Sequence, residues 1–282
     1  MPATASLAAT RPLTLPPLLG PGDPPPVEVL NRQGRSKALL LCDHASNRIP
    51  SGLDLGVPQA ELERHIGYDI GGRWMTERLM ERLDAAAVFS AYSRLVVDLN
   101  RGYGDPTSIP EVSDGTVVPG NRGIGEEEVA RRMDALYHPY HAAVAGELAR
   151  MSAGGYAPAV ISMHSFTPCM KGFRRPWHVG VLWDYDPRMP VPLIASLLRR
   201  GDVCVGDNQP YSGRGLTGHT IDVHCAAAGL PNVLIEVRQD LIATEADAHR
   251  WADILYEPLA EILSDPDLYV ARRYEAPGLP VP

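Results

Sequence analysis

The run ALLLCDH at residues 38–44 decides the fold class. An unbroken apolar stretch that ends in polar residues is typical of a β-strand buried on both faces. The stretch AVISMH at 159–164 repeats the pattern, and NVLIEV at 232–237 places an acidic residue inside a third such run. Strands of this kind belong to parallel sheets covered by helices, so we expect the functional residues at their polar ends.

Helical patterns alternate with these strands along the chain. The further predicted strands are residues 86–89, 95–99, 179–183 and 203–205. The predicted helices are residues 70–83, 126–151 with a kink or break at Pro139, 219–228 and 245–263. Long loops are predicted at 102–123 and 206–218. The alternation predicts an α/β fold of three layers, in which helices cover both faces of a mostly parallel central sheet.

Composition narrows the range of partners. The chain has 282 residues and a net charge of −8, which argues against nucleic acid or an anionic membrane as the main partner. We expect a flexible arm at 1–27, a single domain at 28–274 and a tail at 275–282. Prolines interrupt the apolar stretch near the N terminus, so we predict no signal peptide, no membrane anchor and a cytoplasmic location. The four cysteines form no C-x-x-C pair and are expected to be free, buried thiols.

Candidate site residues fall at the ends of the predicted strands. His44 follows the apolar run that begins at residue 38, and His164 ends the run that begins at residue 159. Asn100 and Arg101 follow the strand predicted at 95–99. Glu236 lies near the end of NVLIEV. Open α/β sheets bind ligands at the carboxyl ends of their strands, so residues far apart in sequence are expected to meet in one crevice.

Two of these residues suit a metal ion. A catalytic zinc site takes three protein ligands from histidine and acidic residues and leaves one position for water. His44 and His164 can supply two ligands. For the third we favour Asp69, in HIGYDIGG, over Asn47, because a neutral amide is a poor zinc ligand. The alternative role for Asp69 is to cap the helix that follows it.

Glu236 interrupts an otherwise apolar strand. A buried carboxylate is costly without a partner, which can be an activated water, an arginine or a backbone donor. Beside a metal site, such a group suits a general base that later passes its proton to a leaving nitrogen. The alternative interpretation is a structural ion pair with Arg238 or another arginine.

Six stretches together resemble the N-formylglutamate amidohydrolase family. They are CDHASNRIP (42–50), HIGYDIGG (65–72), SRLVVDLNRG (93–102), SMHSFTP (162–168), DNQPYSG (207–213) and IEVRQDLI (235–242). The resemblance implies a zinc-peptidase-like (phosphorylase/hydrolase-like) fold and the hydrolysis of an N-formyl or other short N-acyl amino acid, such as N-formyl-L-glutamate. It further implies Zn²⁺ or another divalent metal as cofactor, and a role in histidine degradation.

The order of the site residues is also similar to that of zinc amidases that trim cell-wall peptides. His44, Asp69, His164 and Glu236 match that order one by one. One departure is that many family members read P-H-S-G where this chain reads DHAS at 43–46. We expect Asp43 to orient the His44 ring.

The substrate implied by the resemblance is small and anionic. Planar arginines suit its carboxylates best, and Arg101, beside Asn100, is the first candidate. The weaker candidates are Arg94, Arg175 and Arg214, and Tyr211 and Ser212 are candidates to hydrogen-bond the substrate. One of His219 and His224 is a further candidate for the pocket wall, whereas His138 and His141 are expected to be packed or half-exposed.

Two other functions compete with deformylation. The first is a zinc amidase or carboxypeptidase-like enzyme that acts on another N-acyl amino acid or on a peptide. The second is a non-catalytic binding protein on the same scaffold, which would need a broken metal set. The presence of His44, His164 and Glu236 argues against the second alternative.

Overall fold

The computed structural model describes residues 15–214 and 219–274. The strands are β1 (Val27–Leu30), β2 (Ala38–Cys42), β3 (Ala86–Ser90), β4 (Val112–Ser113), β5 (Thr116–Val117), β6 (Ala159–Phe166), β7 (Cys169–Met170), β8 (Phe173–Arg174), β9 (Val179–Leu182), β10 (Val205–Asp207) and β11 (Asn232–Arg238). Seven of them form the main sheet in the order β1-β3-β2-β6-β11-β9-β10. Strands β3, β2, β6 and β11 run parallel to one another. Strand β1 runs antiparallel to β3, β9 runs antiparallel to β11, and β10 is parallel to β9.

Helices lie between most of the sheet strands. They are α1 (Gln59–Leu62), α2 (Gly72–Leu83), α3 (Glu126–Arg132), α4 (His138–Ser152), α5 (Pro190–Arg199), α6 (His219–Ile221) and α7 (Glu245–Leu263). Short 3-10 turns occupy Pro119–Asn121, Gln239–Leu241 and Pro266–Tyr269. Within the described ranges, every helix is too short or too polar to cross a bilayer.

Two apolar cores sandwich the sheet. Side chains alternate along β2, so Leu39 and Leu41 join one core while Leu40 and Cys42 join the other. The first core contains residues of α4, and the second contains residues of α2, α5 and α7. The predicted fold class is therefore confirmed: helices cover both faces of a mostly parallel sheet.

The pairing of β6 with β11 places two candidate site residues side by side. The two strands are parallel, and Glu236 is the register partner of His164. Both strands lie at the centre of the sheet, where side chains on either face are buried. A carboxylate and an imidazole therefore enter the same buried region from neighbouring strands.

The strand predicted at 95–99 is wrong. This segment is an irregular turn, although Leu95 and Val96 are fully buried. Side chains replace the missing ladder: the Asn121 amide donates to the Leu95 carbonyl at 2.9 Å, and Arg132 donates to the Val96 carbonyl at 3.2 Å. Buried backbone groups must be paired, and here polar side chains supply the partners. Burial without a sheet explains why an apolar run was mistaken for a strand.

Other elements differ in smaller ways. A π-helical turn at Met133–Tyr137 interrupts the long predicted helix just before Pro139, so the expected break is confirmed. A second π-helical turn, Asp222–Ala226, follows α6 and continues the helix predicted from His219. Strand β1 and helix α5 were not predicted from the sequence, and β1 is an antiparallel edge strand without a long apolar run.

The predicted arm and the cysteines differ in part from expectation. Residues 1–14 of the predicted arm, 215–218 of the predicted loop and the tail at 275–282 lie outside the described residues. The described part of the arm packs on the domain, since Leu18 is buried. The cysteines are free, but two of the four are exposed, because Cys169 lies in a short hairpin and Cys204 lies beside the edge strand β10.

Candidate active site

Three potential metal ligands meet near the carboxyl ends of the central strands. His44 closely follows β2, His164 lies in the neighbouring β6, and Asp69 precedes α2. One ligand atom of each side chain lies within 4.8 Å of the other two, and the two imidazole centroids are 5.1 Å apart. The structure therefore brings both histidines together with Asp69. Asn47 does not line the pocket that these three side chains share.

Asp69 turns its carboxylate toward the two rings. Its Oδ2 lies 2.9 Å from His164 Nδ1 and 3.4 Å from His44 Nδ1, and it accepts a hydrogen bond from the Ser165 amide at 3.2 Å. Helix α2 is capped instead by Gly71, whose φ of 76° lies in the left-handed region. The alternative interpretation of Asp69 as a helix cap is therefore wrong.

The far side of each ring has its own polar partner. His44 Nε2 donates to Asp98 Oδ1 at 2.8 Å, since a carboxylate can only accept. His164 Nε2 lies 3.0 Å from Ser162 Oγ and 3.5 Å from Asp43 Oδ2. Such partners hold a proton on Nε2 and leave Nδ1 to face the centre of the site.

Asp43 does not orient His44, contrary to the prediction from the DHAS stretch. Its carboxylate accepts hydrogen bonds from Tyr140 and, at 2.9 Å, from the Thr220 hydroxyl, and it faces His164. Successive residues at the end of a strand point to opposite sides, which sends Asp43 and His44 to different neighbours. Asp98 supplies the contact to His44 instead.

The electrostatics of the cluster favour a cation. Burial opposes ionisation of Asp69, but the neighbouring His44 and His164 outweigh it and lower the pKa of Asp69 far below its ordinary value. Burial also disfavours a charged His164, yet Asp43 and Asp69 raise its pKa well above the ordinary value. Three buried carboxylates, those of Asp43, Asp69 and Asp98, thus surround two imidazoles. Two imidazoles and a carboxylate are also the donor types of a catalytic zinc site, so these residues fit a divalent cation.

Glu236 completes the cluster as an unpaired carboxylate. It is only 7% exposed, and its Oε2 has no hydrogen-bond partner among the described residues. Burial raises the pKa of Glu236 to about 7. Arg238 pairs with Asp240 at 2.7 Å, so the alternative interpretation of a Glu236–Arg238 ion pair is wrong. A buried carboxylate whose pKa lies near neutrality suits a proton carrier.

His44, Asp69, His164 and Glu236 line a pocket of about 100 Å³. Its wall also contains four of the predicted substrate-binding residues: Arg94, Asn100, Arg101 and Tyr211. Arg94 is already paired with Asp98 at 2.6 Å, and the Asn100 side chain accepts from the Thr220 amide at 3.0 Å. Arg101 and Tyr211 therefore have the greater freedom to bind a ligand.

Two predicted substrate arginines lie outside this pocket wall. Arg175 is buried and donates to the Tyr211 hydroxyl at 3.1 Å, so it supports the pocket from behind. Arg214 is exposed and stacks over the Trp183 ring, with its guanidinium 5.4 Å from the ring centroid. Aromatic stacking thus accounts for the position of Arg214 without any substrate.

Three other histidines, His141, His219 and His224, form a separate cluster outside the pocket wall. His219 and His224 do not line the pocket; His219 Nε2 pairs with the Tyr137 hydroxyl at 2.6 Å. His224 Nε2 lies 2.9 Å from His141 Nδ1, and the other His141 nitrogen donates to the Leu99 carbonyl at 3.0 Å. This cluster supports the turn that carries Asn100 and Arg101.

Three polar residues of the site were missed in the sequence. Asp98 and Ser162 contact the far sides of the histidine rings, and Ser165 contacts Asp69. All three lie inside the stretches SRLVVDLNRG and SMHSFTP that carry the family resemblance. That coincidence is the sequence signal that could have identified them.

Comparisons with known proteins identify the family. A model of the N-formylglutamate amidohydrolase family matches residues 36–243. The N-formylglutamate deformylase of Pseudomonas aeruginosa is 32% identical over 145 residues, which cover 46% of this chain and 53% of that protein. The match thus spans about half the length of that relative.

Solved structures share the fold of this chain. A gene product of Agrobacterium tumefaciens is 34% identical, has a TM-score of 0.85 and is matched over 88% of this chain and 98% of its own. The N-formylglutamate amidohydrolase of Ralstonia eutropha shares the fold at 20% identity, with a TM-score of 0.66 over 84% of this chain and 98% of its own. Since the family model covers well over half of the sequence, the chain belongs to the N-formylglutamate amidohydrolase family.

Proposed function

We propose that the protein is a metal-dependent amidohydrolase that cleaves N-formyl-L-glutamate to formate and L-glutamate. The observation that carries this proposal is one buried pocket in which His44, Asp69 and His164 converge beside the unpaired carboxylate of Glu236. Family membership and the name of the Pseudomonas aeruginosa relative support the choice of substrate.

His44, Asp69 and His164 would hold the metal, with Zn²⁺ as the first choice. When bound, a divalent ion supplies Lewis-acid chemistry, which lowers the pKa of water toward about 7 and polarises an amide oxygen. Asp98 holds the His44 ring, while Ser162 and Asp43 hold the His164 ring, so both imidazoles are oriented before any ligand arrives.

Glu236 carries the proton in this mechanism. Its carboxylate takes a proton from the attacking water and delivers it to the departing amide nitrogen, so that glutamate leaves as a free amine. A pKa near 7, raised by burial, matches a group that must both accept and donate a proton near neutral pH.

Arg101 and Tyr211 position the substrate. Arg101 forms no ion pair with any described residue and lies in the pocket wall, so its guanidinium is available for the α-carboxylate. Tyr211 is held by Arg175 at 3.1 Å and offers a hydroxyl to the formyl amide. Arg94 stays with Asp98 and Asp69 and contributes positive charge.

The test is product analysis with a metal-loaded enzyme. We expect formate and L-glutamate to appear in equal amounts from N-formyl-L-glutamate, and activity to disappear with a chelator and return with Zn²⁺. A panel with N-acetyl-L-glutamate and a short peptide separates deformylation from the wider amidase alternative. Absence of formate release by a protein shown to contain stoichiometric metal would contradict the proposal.

A further inference from the structure

A second cavity adjoins the pocket on its outer side. It measures about 290 Å³ and shares Arg94, Arg101 and Tyr211 with the inner pocket wall. Sites for small molecules typically measure about 300–1,000 Å³, so the outer cavity has the size for the remainder of a small substrate. A ligand whose amide lies beside Glu236 therefore extends into this cavity.

The fixed charges of the outer cavity leave positive charge uncompensated. Its two carboxylates are already paired, since Asp98 accepts from Arg94 at 2.6 Å and Asp114 accepts from Arg64 at 2.9 Å. Lys171 also lines the cavity and forms no ion pair with any residue that the structure describes, as is true of Arg101. The cavity thus offers two free cations and no free carboxylate from the described residues.

The backbone holds Lys171 at the rim of the cavity. Met170 pairs with Phe173 across the hairpin of β7 and β8, which leaves Lys171 and Gly172 as its two-residue turn. Their φ angles are 49° and 81°, as a tight hairpin turn requires. Met170 lines the cavity as well, so the turn projects over it. Apolar residues of the same wall, Ile66 and Leu95, suit the methylene groups of a side chain.

We propose that Lys171 determines specificity by binding the side-chain carboxylate of an acidic N-acyl amino acid, while Arg101 binds the α-carboxylate. The proposal rests on the deformylase function and names the acidic side chain as the feature that the enzyme selects. Lys171 acts on binding and not on the bond that breaks, because it lies in the outer cavity and not in the pocket of Glu236.

The experiment compares three substrates in three variants. Lys171→Met should raise KM for N-formyl-L-glutamate about twofold to fivefold, the range of a solvent-exposed ion pair, and leave kcat within about twofold. KM for N-formyl-L-methionine, which has a neutral side chain of similar length, should not change. Lys171→Glu should raise KM for N-formyl-L-glutamate further and improve the use of N-formyl-L-lysine. Arg174→Met is the matched control on the same hairpin, and it should behave like the wild type because Arg174 does not line the cavity.

The two proposals fail in different ways. If the wild type releases formate but Lys171→Met leaves the preference for N-formyl-L-glutamate over N-formyl-L-methionine unchanged, the role of Lys171 is refuted and the deformylase function stands. If the metal-loaded wild type releases formate from neither substrate, both proposals are refuted. Circular dichroism and thermal unfolding check that each variant is folded, and Met keeps the unbranched shape of Lys at this left-handed position.

Discussion

At the scale of single residues, the candidate catalytic and metal-binding residues were easier to predict than the residues that hold them in place. His44, His164 and Glu236 could be chosen from the sequence because each interrupts or ends an apolar run, where a polar side chain needs a reason. Asp69 could be chosen as the acidic residue just before the next predicted helix. Asp98 could not, since its contact with His44 crosses 54 positions and depends on a turn that was mistaken for a strand. Local patterns reveal which residues are buried, but not which distant residue each one touches.

Glu236→Gln gives the sharpest test at this scale. The amide keeps the shape of the carboxylate but cannot take up a proton, so we expect kcat to fall by about 10²–10⁴-fold. The burial that raises the pKa of Glu236 to about 7 makes its charged form costly in the folded state. That cost is absent below the ordinary pKa and complete above about pH 7, so the variant should be at least as stable as the wild type at pH 8. Steady-state kinetics and thermal unfolding measure the two effects.

Metal content provides the control for this variant. Glu236 is not one of the three grouped ligands, so the Gln variant should bind the same amount of metal as the wild type. Full activity in the Gln variant would remove Glu236 from the mechanism. Loss of the metal together with activity would instead make Glu236 a ligand.

At the scale of elements, Asp69 depends on a glycine that begins the next helix. Gly71 has a φ of 76°, and a Cβ added there would lie 2.1 Å from the Ile242 carbonyl oxygen. We therefore expect Gly71→Ala to destabilise the protein by clearly more than the ~1–2 kcal/mol that the left-handed conformation alone costs an L-residue. The midpoint of urea unfolding measures the loss.

Gly123→Ala is the matched control. Gly123 also has a positive φ, of 61°, but nothing lies within 4 Å of its added Cβ. This variant should lose only the conformational part, about 1–2 kcal/mol. Equal losses in the two variants would mean that the backbone before α2 moves easily enough to relieve the clash between the added Cβ and the Ile242 carbonyl.

A pair of carboxylates beside α6 makes stability depend on pH. Burial and the nearby charge of Asp184 raise the pKa of Asp222 to about 6. The folded state therefore holds this proton more tightly than the unfolded chain, and the resulting stabilisation is lost as pH rises through about 6. Asp222→Asn should gain about 1–2 kcal/mol at pH 8, after allowance for partial exposure, and nothing at pH 4. Thermal unfolding at the two pH values checks this, with the surface variant Asp202→Asn unchanged at both.

The elements also show which part of the fold was predictable. Residues 245–263 were predicted as a helix with the observed ends, because one apolar face runs along them. In the structure the Thr244 side chain caps the start of this helix. Strand β1 was missed, since an edge strand buries only part of its surface and has no continuous apolar run. Helix α5 was missed although its apolar residues repeat at helical spacing, because two prolines at its start resemble a loop.

At the scale of the whole molecule, a chain of net charge −8 builds a cavity with free positive charge. The acidic residues near the site form ion pairs with neighbouring arginines, as Asp98 does with Arg94 and Asp114 with Arg64. Overall charge argued against nucleic acid as a partner, but it could not predict the sign of the charge at the cavity. That sign depends on which charges the fold pairs with one another.

A metal ion would join three separate elements, so its binding should appear in the stability of the whole protein. His44 follows β2, Asp69 precedes α2 and His164 lies in β6, so unfolding must break the site. Zn²⁺ at 1,000 times its Kd adds about 4 kcal/mol, which corresponds to a rise in Tm on the order of 10 °C. Differential scanning fluorimetry of metal-free protein titrated with Zn²⁺ measures the shift. Asp69→Asn should lose most of it, and a full shift in that variant would place the stabilising zinc elsewhere, with the exposed thiols of Cys169 and Cys204 as the first alternative.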